Sequence, residues 1–113
     1  MVTIESVSGK CLVMDGSSST PPVPGMTLET KGSKNVYILM TGPSGLMNLT
    51  INTKKVTLRG DSILRVRGTK APEIVKRKGT LHDTKILIGK IWAKMKGPEP
   101  LEEIYNAAVG IRG

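Results

Sequence analysis

The chain has 113 residues, the size of one domain that can bury a core without disulfide or metal support. Its single cysteine, Cys11, excludes an intrachain disulfide, and no apolar run approaches the roughly twenty residues of a membrane helix. The formal charge of +8 is concentrated: residues 54–96 carry thirteen Lys or Arg against Asp61, Glu73 and Asp83, a field that draws nucleic acid, anionic lipid or an acidic partner surface.

Glycine and proline cut the sequence into short segments, the punctuation of an all-β domain. Residues 2–7 and 10–14 read as a first hairpin turning at Ser8-Gly9. Residues 15–25, rich in Ser and Pro, read as a mobile loop. Further strands are expected over residues 26–30, 35–41, 46–52, 55–59, 63–67, 73–76, 84–88 and 90–96, with Thr41-Gly42-Pro43-Ser44-Gly45 as a turn. In residues 62–67, Leu64 and Val66 alternate with Arg65 and Arg67, which predicts a core face and a wet face. In residues 90–96 the same period puts Lys90, Lys94 and Lys96 on one face with Trp92. There the tryptophan either covers a sheet edge under lysine stems or stacks on a ligand.

Residues 98–108 depart from this pattern. Leu101, Ile104, Tyr105 and Ala108 follow helical spacing after two prolines and acidic residues, so one short helix is expected near residues 99–108. The fold class read from these features is all-β: a single small domain over residues 1–113 of short strands, sandwich-like or a twisted solenoid, with at most that one helix.

Catalytic chemistry finds few groups. His82 is the only histidine, beside Asp83 on an expected surface turn, and Cys11 lies far away in sequence, a small buried hydrophobe by default. One histidine and one cysteine do not make a zinc site, and the glycines around Pro43 lack the lysine and helix of a phosphate loop. The expectation is a non-enzyme with no cofactor, no metal and no catalytic residue.

The last quarter carries a more specific pattern. Gly89-Lys90-Ile91-Trp92-Ala93-Lys94-Met95-Lys96, then Ala107-Ala108-Val109-Gly110-Ile111-Arg112-Gly113, resembles the FecR-type domain, in which a G-K-(V/I)-W-(V/A)-K strand precedes A-V-x-G-(V/I)-R-G-T. Residues 66–69 repeat the V-R-G-T element, but the upstream neighbours assign the motif to the C-terminal copy. Residues 24–30, 35–40 and 49–53 fit the same template loosely. The family residues are thus Gly89, Lys90, Ala108, Val109, Gly110, Arg112 and Gly113. Family members continue as R-G-T-E-F, so by this resemblance a truncated or minimal version is expected.

The resemblance implies a twisted β-solenoid that acts outside the cytoplasm, periplasmic or at the cell surface, as a binding or signalling module contacting a protein or a cell-envelope polymer. The N-terminus has no secretory signal pattern, so the chain is either a cytosolic protein or an excised mature domain, and the resemblance implies the second. The expected binding face is Arg65, Arg67, Lys90, Trp92, Lys94 and Lys96. Two other readings are open: a basic nucleic-acid-binding β domain, for which three aromatic residues are a thin stacking surface, and a structural element of a secreted or virion assembly that self-associates through unpaired strand edges.

Overall fold

The structure, a computed structural model, describes residues 1–15, 19–32, 34–77 and 79–95. They form one seven-stranded antiparallel sheet and one helix, in the order β1 (Val2–Met14), β2 (Ser19–Thr20), β3 (Thr27–Leu28), β4 (Asn35–Ile51), β5 (Lys54–Arg59), β6 (Ser62–Arg67), β7 (Glu73–Lys76) and α1 (Leu81–Met95). The mostly β, small-domain character expected from the sequence is what the chain adopts.

Two long strands organise it. β1 and β4 pair along their whole length, from Val2 opposite Ile51 to Met14 opposite Tyr37. Their middle is irregular: Ser8 pairs with Leu46 and Lys10 with Thr41, so Gly9 alone faces the four residues between. Gly9 has φ +87°, and a Cβ there would lie 2.7 Å from the Gly45 Cα. Only glycine permits that approach. The Ser8-Gly9 hairpin and the turn around Pro43 are therefore corrected to bulges inside continuous strands. Proline is tolerated at such a bulge because no regular ladder bond is demanded there.

The bulges divide the sheet into two halves and bend one over the other. The first half joins β3, the start of β1, the end of β4, and β5; the second joins β2, the end of β1, the start of β4, β6 and β7. Asn52, beyond β4, donates its amide to the Gly68 carbonyl beyond β6 at 3.0 Å, and Thr30 donates to the same carbonyl at 3.3 Å. The far ends of the two halves are thereby tied together. Their inner faces share one core, with Ile4, Met47, Leu49 and Leu58 from the first half and Val13, Ile38, Met40 and Leu64 from the second. The arrangement is sandwich-like, one bent sheet rather than stacked coils.

The second half is covered on its other face as well. Leu12, Met14, Tyr37, Leu39 and Ile63 point away from the shared core and pack under Ile88, Ile91 and Trp92 of α1. Alternate residues of one strand thus enter two different cores. This double burial is why residues 11–14 and 36–40 are continuous apolar runs, whereas residues 46–51 alternate.

The largest correction concerns α1. Residues 84–88 and 90–96 were expected as strands; through Met95 they are one fifteen-residue helix. Thr80 caps it: its hydroxyl accepts from the Asp83 amide at 3.1 Å and donates to the Asp83 carboxylate at 2.9 Å. This is a capping box with aspartate in the third position. His82 stands exposed in the first turn, so the expected surface turn is a helix start. Within the loop expected at 15–25, Ser19–Thr20 pairs with Val13 and Met14, and Gly25 and Met26 hydrogen-bond to Ile4. The helix expected near 99–108 lies outside the described residues.

Candidate functional site

Arg65 belongs to the face of β6 that lies under α1, two positions beyond the buried Ile63. It sits where coverage by the helix ends. Lys90 and Lys94, one turn apart on α1, reach the same margin. The three cations border a groove of about 370 Å³ with Tyr37, Val75, Leu87, Ile91 and Ala93. Val75 arrives there through a bulge in β7, since Lys76 pairs with Ile63 and Ile74 with Leu64, leaving Val75 as the extra residue.

The groove is basic above an apolar floor. Arg65 forms an ion pair with Glu73 of β7, whose side chain is 60% exposed. The hydrogen bond to Glu73, with a further one to Tyr37, holds the guanidinium above its ordinary pKa, so it is charged at any accessible pH. Among the described residues, Lys90 and Lys94 have no carboxylate partner. On the outer side of Arg65 a smaller hollow of about 130 Å³ is lined by Arg67, Lys70 and Glu73, which extends the basic strip along β6.

Of the six expected contact residues, Arg65, Lys90 and Lys94 come together and Arg67 adjoins them. Trp92 does not. It is 4% exposed and packed against the sheet, because helical rotation of about 100° per residue turns position 92 away from the side shared by 90 and 94. The expected lysine–tryptophan face is corrected accordingly. Lys96 lies outside the described residues, as do Ala108, Val109, Gly110, Arg112 and Gly113; Gly89 and Lys90 of the family pattern are on α1. Sequence reasoning missed the floor residues: Leu87 and Ile91 become visible only once residues 81–95 are read at helical period, and Val75 only through the bulge in β7.

The remaining titratable groups stand apart. Cys11 is buried in the shared core, on the sheet face away from α1, and burial pushes its thiol up to about 11. Hydrogen bonds from Thr80 hold the Asp83 carboxyl below its ordinary value, so that carboxylate is engaged in capping rather than aimed at His82. Among the described residues no three His, Cys, Asp or Glu side chains converge as metal ligands. No described helix is long and apolar enough to cross a membrane. Two further hollows lie at the bend, one around Lys10, Thr41 and Asp61 and one around Arg59, Asp61 and Arg77. Asp61 there accepts from the Gly42 amide at 2.9 Å and so serves the bulge. In comparisons with family models, curated proteins and solved structures, nothing matches this chain.

Proposed function

We propose that this chain is a non-enzymatic binding module of the FecR type, working outside the cytoplasm and contacting an anionic protein surface or cell-envelope polymer through the basic strip of Arg65, Arg67, Lys90 and Lys94. The family rests on the residue pattern of 89–113 alone. The binding role rests on one observation: cations from β6 and from α1, elements far apart in sequence, converge on one margin of the fold.

The nucleic-acid reading draws on the same charge. Single-strand binders add base stacking worth about 1–3 kcal/mol per base, and both described aromatic rings are withdrawn, Tyr37 at 7% and Trp92 at 4% exposure. Phosphate contacts alone would then carry the affinity.

A salt titration decides between the two. A random oligonucleotide is expected to bind no tighter than the roughly 10⁻⁴ to 10⁻⁶ M of non-specific charge attraction at physiological salt. Sub-micromolar binding with a steep dependence on salt would overturn the preferred reading.

A further inference from the structure

The groove differs from the rest of the basic strip in having an apolar floor. A ligand that offers charge alone, such as a phosphate chain, satisfies the cations and leaves the half-buried Val75 and Leu87 facing water. An uncharged apolar ligand wastes the cations. We infer that the groove is a docking site for an acidic peptide segment of a partner protein, one that carries an aliphatic side chain between carboxylates. This deepens the proposed function and rests on its assignment of the strip as an anion-binding surface.

Charge complementarity and spacing commit the site to that occupant. Lys90 and Lys94 are separated by four residues of helix, a rise of about 6 Å. Alternate side chains of an extended peptide repeat at about 6.6–6.8 Å, so two carboxylates on one side of such a segment meet two lysines in register. Arg65 stands across the groove on the sheet, with Tyr37, Val75, Leu87 and Ile91 between. The volume of about 370 Å³ is at the small end of ligand cavities, which run from roughly 300 to 1,000 Å³. It suits the side chains of a short segment rather than a folded surface.

The site already holds one carboxylate. Glu73 pairs with Arg65 from the neighbouring strand, and both side chains are solvent-accessible, at 60% and 37%. Glu73 is thus an internal example of the recognised group and a competitor for Arg65. Planar guanidinium presents paired donors to a carboxylate, so an incoming acid can share or displace Glu73 without new geometry at Arg65.

The test is fluorescence anisotropy with the full chain and three labelled probes at physiological salt: a peptide alternating Glu with Leu, one of equal charge alternating Glu with Ser, and a random oligonucleotide. The Glu–Leu peptide is expected to bind about tenfold or more tightly than the Glu–Ser peptide. Glu73→Gln should tighten it by about threefold, and Lys90→Gln with Lys94→Gln should weaken it by about tenfold, the range of screened single-charge contacts. Ala93→Glu, at an exposed groove position on the helix, should remove the preference for leucine by placing a carboxylate in the groove. Equal binding of both peptides would overturn the apolar anchor while leaving the anion-binding strip intact. Binding of the oligonucleotide alone would overturn both. Circular dichroism of each variant separates a lost site from a lost fold, and the lysine pair, at exposed positions, keeps the test available if Ala93→Glu disturbs α1.

Discussion

Trp92→Ala discriminates between the helix and the strand that the sequence suggested for residues 90–96. Trp92 is 4% exposed and packs with Leu12, Met14, Tyr37, Leu39 and Ile63. A buried aromatic side chain withdraws about 150–250 Å² from water. At about 25 cal/mol per Å² this contributes roughly 4–6 kcal/mol, an upper figure because denatured chains already bury part of it. Core Trp→Ala changes cost about 3–5 kcal/mol, a large share of the roughly 5–15 kcal/mol that holds a domain together. The thermal midpoint should fall by more than about 10 °C. Because this is the only tryptophan, the variant is followed by circular dichroism in urea, and the parent chain also by its emission, which should be blue-shifted and weakly quenched by iodide. On a wet, lysine-bearing strand face the same substitution would change stability by no more than about 0.5 kcal/mol. A loss that small, together with solvent-like emission, would refute the packing of α1 on the sheet.

Thr80→Ala removes both cap hydrogen bonds to Asp83 and should cost about 1 kcal/mol by urea melts. It should also flatten the acid limb of stability. Asp83 titrates below its ordinary value, so its contribution is present above the ordinary carboxylate pKa and is lost as pH falls through the lowered one. Gly9→Ala places a Cβ 2.7 Å from the Gly45 Cα at φ +87° and should cost more than about 2 kcal/mol, against about 1 kcal/mol for Gly25→Ala, where φ is +90° and nothing lies within 4 Å; equal costs would mean the bend tolerates a wider separation. Cys11 has its thiol raised from 9.0 to about 11, so the native state favours the neutral form. Stability from this source is intact below pH 9 and is lost between 9 and 11, by at most about 2–3 kcal/mol. Cys11→Ala should lose less over that interval, and an equal alkaline loss would dissociate it from the thiol.

The sheet was legible where burial acts on one or both faces of a strand. Residues 46–51 alternate and residues 36–40 do not, and both patterns follow from how many faces are covered. The bulges were misread because Gly9 and Gly42, with positive φ, are the residues that hairpin turns also use; local chemistry does not say whether the chain reverses or bends. The helix was misread through too short a window. Over residues 90–96 apolar and charged residues alternate, but over fifteen residues Leu87, Ile88, Ile91, Trp92 and Met95 fall on one helical side. The local sign was Thr80 three residues before Asp83, a capping box obscured by reading His82-Asp83 as a turn. Arg65, Lys90 and Lys94 were named from charge; their convergence depends on α1 crossing β6, a tertiary fact that no local pattern carries.

Arg65 is where folding and binding make opposite demands. It occupies the sheet face that α1 covers, in line with Ile63, a position that packing alone would fill with an aliphatic residue. What the arginine gains in the fold is an exposed ion pair with Glu73, and such pairs contribute about 0–1 kcal/mol. Arg65→Leu removes that pair and leaves Glu73 accessible to water, while the new side chain extends the floor made by Val75 and Leu87. The two effects are of similar size, so urea melts should change by no more than about 1 kcal/mol, and in the stabilising direction where the leucine packs well. Binding of the acidic peptide should fall together with the charge. This pairing of a neutral or improved fold with a lost ligand is the mark of a residue kept for function rather than stability. A loss above about 2 kcal/mol would instead make Arg65 a structural residue and would remove the main physical argument that the groove exists to be filled from outside.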